Sequence, residues 1–182
     1  ETLADFVRQG GHLIALGRSA EWVESLDLGW SFVEQETPDD EDEAQVVDSA
    51  PYADYQQDYA RKLIGGSALA MNLDNTHPLG YGYADDRVTV FRQGAHLLQA
   101  SDNRYATPGR YAEPPLVAGY LSGEVSDKLA GTPALAADRL AGGLVVRIAD
   151  DYLFRGYWAG TERLFANALL FGQLIDATRL PD

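Results

Sequence analysis

The chain has 182 residues, no cysteine and a formal charge of −14, from 28 acids against 14 bases. That length fits one domain with a single core, and the missing cysteine excludes a disulfide framework, a thiolate zinc site and a cysteine nucleophile. Negative charge without a Lys/Arg cluster excludes nucleic acid as a partner, and no apolar stretch approaches the ~20 residues of a membrane span.

Taken in chain order, Thr2–Gln9 places Leu3, Phe6 and Val7 on one helical face, and Gly10-Gly11 ends it. His12–Leu16, "HLIAL", reads as a short buried strand, and "SAEWVESL" as a helix with Ser19 at its cap. Between Glu34 and Asp48 lie eight acids and no base. The run lacks the alternating D-x-D-x-D-G pattern that wraps calcium, so a solvated loop is expected rather than a cation site. Tyr52–Asp74 reads as helical with a break at Gly65-Gly66, followed by the turn-rich "THPLGYGY". "RVTVF" and "AHLLQA" then read as a hairpin around Gln93-Gly94, and "PPLVAGYLSG" as a short extended piece. "KLAGTPALAADRLAGG" reads as loop and turn. "GLVVRIAD" is the clearest strand, and "GTERLFANALLFGQLID" is the clearest helix. The expected fold class is α/β, a mostly parallel sheet flanked by helices with a small β-hairpin insertion. Met71 is the only methionine, so residues 1–182 read as one domain excised or processed from a longer chain.

Ser19 follows a strand and opens a helix, where α/β hydrolases carry their nucleophile, but Glu21 stands where the second glycine of G-x-S-x-G belongs. The expected role is therefore a helix cap, with a hydroxyl nucleophile as the rival. Of His12, His77 and His96, only His77, in the turn-rich stretch, suits the base that such a serine needs. No histidine has H-x-x-E or H-x-x-x-H spacing, so no metal site is expected. Asp150 and Asp151 leave the carboxyl end of the clearest strand, where α/β sheets place ligands, with Arg155, Tyr157 and Trp158 close behind. This set reads either as a binding cleft or as a connection in which Arg155 pairs with one of the two aspartates.

The succession "DFVRQGGHLIALG", "LDNTHPLGYGY" and "GGLVVRIADDYLFRGYWAGTERLFANALLFG" resembles the C-terminal region of bacterial secreted zinc carboxypeptidase-like proteins. In these a metallocarboxypeptidase domain precedes a class I glutamine-amidotransferase-like domain. The resemblance covers most of the chain outside the acidic run. It implies a flavodoxin-like three-layer fold, a secreted or periplasmic location, and an upstream peptidase domain of the same chain as partner. It also implies zinc in that upstream domain and no cofactor in this one. The zinc ligands of the family, a His and a Glu three apart plus a distant His, have no counterpart here. The cysteine of the amidotransferase elbow is also missing at "GRSAE". The implied role is a non-catalytic accessory domain for packing, substrate contact or assembly, which leaves a homo-oligomer open. The alternatives are a serine hydrolase using Ser19 and His77, and a peptide- or sugar-binding module.

Overall fold

The computed structural model describes residues 2–33, 49–94 and 96–176. The acidic run, and with it the expectation of a solvated loop, lies outside them. Helix α1 (Leu3–Arg8) starts at a capping box in which Thr2 and Asp5 satisfy each other's backbone N–H groups. Then come β1 (His12–Leu16), α2 (Arg18–Glu24), α3 (Tyr55–Lys62), β2 (Ser67–Leu73) and β3 (Arg87–Arg92). They are followed by β4 (Gly109–Ala118), α4 (Gly123–Leu129), β5 (Pro133–Leu140), β6 (Gly143–Ile148) and α5 (Ala159–Phe171).

The strands form one six-stranded sheet in the order β1-β6-β5-β4-β2-β3. The first and last strands pair in parallel, from His12 beside Leu144 to Leu16 beside Ile148. It is the only parallel pair among the described strands; β6–β5, β5–β4, β4–β2 and β2–β3 are all antiparallel. The sheet curls into a half-barrel with few helices. This corrects the mostly parallel, amidotransferase-like three-layer fold. The cause is local: β5 turns into β6 within Ala141-Gly142, a return too short for anything but antiparallel pairing, and the longer 74–86 connection between β2 and β3 carries no α-helix of the kind that makes a parallel crossover. Register shifts in the β2–β4 pairing, at Ala68/Leu69 and Leu69/Met71, bend the sheet at that point.

Two segments read differently in the sequence. Ser67–Leu73 is a strand, not the continuation of a helix, and Pro133–Leu140 is a strand, not a loop. The hairpin partner of β3 is β2, since no strand is assigned to His96–Ala100.

Both faces of the sheet's β1-β6-β5 half are covered. On one, α2 packs on β1, and Ser31–Val33 lies over Arg147, pairing with residues 100–102 through Val33 N–H to Ala100 O and Asp102 N–H to Ser31 O. On the other, α5 ends against Leu144; a Cβ at Gly172 would come 2.9 Å from that side chain. Gly143 lets α1 cross β6 closely, because a Cβ there would sit 2.1 Å from Val7 O. The core between these layers includes Val7, Ala15, Val23, Leu69, Met71, Leu135, Val146, Ile148 and Leu164, all nearly inaccessible to solvent.

Candidate functional site

Two buried arginines organise the interior. Arg147, on β6, lies against the stacked pair of Trp30 and Phe32, 5.1 and 4.9 Å from their centroids. Its guanidinium donates to the Glu24 carboxylate, to Asp138 Oδ2 at 2.7 Å and to Gln99 O at 2.9 Å. Asp138 and Arg147 share a face because β5 and β6 are paired Ala136 with Arg147 and Asp138 with Val145. Glu24 in turn accepts from Gln99 N at 3.0 Å and lies 3.6 Å from His96 Nε2.

Arg92, at the end of β3, donates to Tyr111 Oη at 2.6 Å, to His96 O, and to Asp150 Oδ1 at 3.4 Å. Tyr111 donates to the same Asp150 oxygen at 2.6 Å. Burial pushes the Asp150 carboxyl up to about 6, outweighing Arg92 and the Tyr111 hydrogen bond, which pull it down. Burial and the neighbouring carboxylate push the Tyr111 hydroxyl well above its ordinary range.

The Asp150–Arg155 segment is therefore arranged differently from the expected pair. Asp150 meets Arg92, 58 positions away, while Asp151 Oδ1 accepts from Leu153 N at 3.1 Å. Arg155 is exposed, has a positive φ of 52°, and lays its guanidinium 5.0 Å from the Phe154 ring centroid. Tyr157 is exposed, and Trp158 Nε1 donates to Thr89 O at 3.1 Å. Phe154 stacks on Phe91 at 3.8 Å, which pins this segment to β3.

Ser19 is not the cap of α2. Gly17 holds that position, and the Ser19 hydroxyl donates to Leu16 O at 2.7 Å and accepts from Leu16 N at 3.1 Å. It closes the end of β1. Helix α2 lies on the Arg147 face of the sheet, whereas the His77 turn packs on α5, so the structure does not bring Ser19 and His77 together.

His77 does line a cavity of about 410 Å³, within the ~300–1,000 Å³ range of small-molecule sites. Three segments build it. The first is the turn after β2. Asp74 N donates to Pro108 O, and Asp74 Oδ1 accepts from Thr76 N at 2.9 Å and Thr76 Oγ1 at 2.6 Å. His77 Nδ1 accepts from Leu79 N at 3.2 Å. Gly80 closes the turn, since a Cβ there would come 2.4 Å from Asp74 O. Buried Asn167 on α5 fastens the turn by donating to Leu79 O at 2.8 Å and Tyr81 O at 2.9 Å.

The second wall is the loop before β4, where Asn103 Oδ1 accepts from Tyr105 N at 3.1 Å and Ala106 O accepts from Ala137 N at 2.7 Å. The third is Leu174–Asp176, held by Arg139, which donates to Ile175 O at 2.7 Å and Gln173 O at 3.3 Å. Burial lowers the basicity of His77 against the opposing pull of Asp74. For Asp74, burial works upward, but the two Thr76 hydrogen bonds and His77 outweigh it and hold the carboxyl below its ordinary range. The cavity thus presents an ionised carboxylate, a neutral imidazole, an amide and the rings of Tyr81 and Tyr105.

Sequence reasoning singled out His77 but missed Asn103, Tyr105 and both buried arginines. A lone charge within an apolar strand, Arg147 in "GLVVRIAD", was the available signal. Among the described residues no group of three or more His, Asp or Glu is placed to hold a metal ion, and no helix is long and apolar enough to cross a membrane. No family model and no curated protein matches the chain.

Proposed function

We propose that the chain is a non-catalytic accessory domain of a zinc carboxypeptidase-like protein, contacting that protein's substrate through the His77 cavity. The observation that carries the reading is the state of the cavity's polar groups. His77, Asp74 and Asn103 each use one atom to shape the wall and keep another for a ligand. A role without chemistry of its own is supported by the Ser19 hydroxyl, which is engaged with Leu16. The peptidase parent rests on the three sequence stretches that resemble that family. By the same resemblance the zinc belongs to an upstream peptidase domain, and the location is secreted or periplasmic.

The test compares the longer chain with and without residues 1–182, on a long peptide and on a dipeptide-sized substrate. Loss of the domain should lower kcat/KM for the long peptide and leave the small substrate unchanged. Labelling of Ser19 by a fluorophosphonate probe would instead assign a hydrolase to this domain.

A further inference from the structure

We propose that the His77 cavity binds a neutral, hydroxyl-rich ring, one or two units of a saccharide. This deepens the substrate-contact reading and rests on it for the cavity's place in a larger protein, but not for the ligand's chemistry.

The argument is one of matching donors to acceptors. With Nδ1 accepting from Leu79 N and the ring neutral, His77 carries its proton on Nε2 and offers a donor. Asn103 has its oxygen engaged by Tyr105 N, so its Nδ2 offers two more. Asp74 has Oδ1 engaged by Thr76, which leaves Oδ2 as an acceptor, and Asp176 adds a second carboxylate.

Among the described residues no lysine or arginine lines the cavity. Nearby, the Arg104 guanidinium lies over the Tyr105 ring, 5.4 Å from its centroid, and Arg139 donates to the carbonyls of Ile175 and Gln173. An anionic ligand would meet two carboxylates on the wall itself, while the nearby described guanidiniums are directed away, at the Tyr105 ring and at backbone carbonyls. An ammonium would match the carboxylates but leave the His77 and Asn103 donors facing a group that accepts nothing.

A vicinal diol satisfies both sets, because each hydroxyl donates to a carboxylate and accepts from an N–H. The half-exposed rings of Tyr81 and Tyr105 add apolar surface for the C–H face of such a ring, with a polar tip at the rim. Tyr81 is held by Phe171, 6.0 Å between centroids, and by the bond from Asn167 to its carbonyl, so the surface is formed before a ligand arrives.

Titration calorimetry on the intact chain tests this with glucose, N-acetylglucosamine and their β-1,4-linked dimers, alongside spermidine and glutarate. At least one sugar should bind. Asn103→Ala and Tyr105→Ala should each weaken it roughly tenfold, the scale of one lost hydrogen bond or stacking contact, with the unfolding midpoint of each variant near that of the parent. The proposal is overturned if no sugar binds, if spermidine or glutarate binds more tightly, or if both variants bind sugar as the parent does. Failure here is separable from failure of the accessory role. Sugar binding lost together with a peptidase defect on domain removal overturns only the ligand. Sugar binding retained with no such defect leaves the ligand standing and overturns the accessory role.

Discussion

Around Arg147 the charges are matched inside the protein: Glu24 and Asp138 take the guanidinium's terminal nitrogens, Gln99 binds both ions of the pair, and two aromatic rings cover it. The atoms left without a hydrogen-bond partner among the described residues, Arg147 Nε and His96 Nε2, are sealed from solvent. Around His77 the side chains are equally well fixed, yet each has a polar atom left over. Both regions are ordered by hydrogen bonds, so order alone does not mark a binding site. Spare valence that a ligand can reach, at the wall of a cavity, does. A buried ion with all its partners inside cannot accept a ligand without breaking the fold, whereas a half-used imidazole or amide at a cavity wall can.

The sharpest way to break this contrast is at Arg147. Arg147→Ala would strand Glu24 and Asp138, two carboxylates buried without their cation, and leave a void against the stacked Trp30 and Phe32 rings. The expected loss is about 3–5 kcal/mol, the scale for removing one partner of a buried pair, read by urea unfolding. A loss under about 1 kcal/mol would mean that this region is as open as the His77 wall.

Asp150 gives a second test, of pH. Its folded carboxyl titrates at about 6 against an ordinary value of 3.8, raised by burial. A raised value means that the folded state holds the proton more tightly. The group's stabilising contribution is therefore complete below about pH 3.8 and is lost as pH rises through about 6. A shift of this size corresponds to roughly 3 kcal/mol across that window. Unfolding free energies measured between pH 4 and pH 7 should show the fall in the parent and lose it in Asp150→Asn. Asp74, whose carboxyl is held low, acts below this window with the opposite sign, so the difference between the two proteins isolates Asp150.

The contrast also explains what could be read from the sequence. The strands β1 and β6 and the helix α5 were legible because a continuous apolar run and a helical stripe are local signals. The strands β2, "SALAMNL", and β5, "PALAADRL", were not, since alanine, leucine and methionine favour helix or leave the choice open. Burial decides them: β5 is covered along nearly its whole length, and its small side chains let both covering layers approach. Once β2 and β5 are strands, the two-residue return from β5 to β6 and the helix-free connection from β2 to β3 make the sheet largely antiparallel, and the three-layer expectation fails. His77 stood out as a polar ring in a turn. Its cavity did not, because the other walls arrive from residues 103–106 and 174–176. The partner of Arg147, Glu24, lies 123 positions away, beyond the reach of any spacing argument.

The smallest expected effect is at Arg155, and it separates sequence proximity from structure most cleanly. Five residues after Asp150, with aromatic neighbours, it looked like half of a buried pair. Asp150 is instead satisfied by Arg92 and Tyr111, and Arg155 lies exposed over Phe154. An exposed guanidinium over a ring contributes at most about 0.5–1 kcal/mol, and at this position its positive φ of 52° is itself unfavourable for any residue with a Cβ. Arg155→Ala should therefore change stability by no more than about 0.5 kcal/mol. Arg155→Gly should match or slightly exceed the parent, because glycine adopts that backbone without strain. Thermal unfolding of the two variants side by side checks this: a loss of several kcal/mol in both would restore Arg155 to an internal ion pair, whereas a gain confined to glycine would show that the backbone, not the charge, shapes the turn into α5.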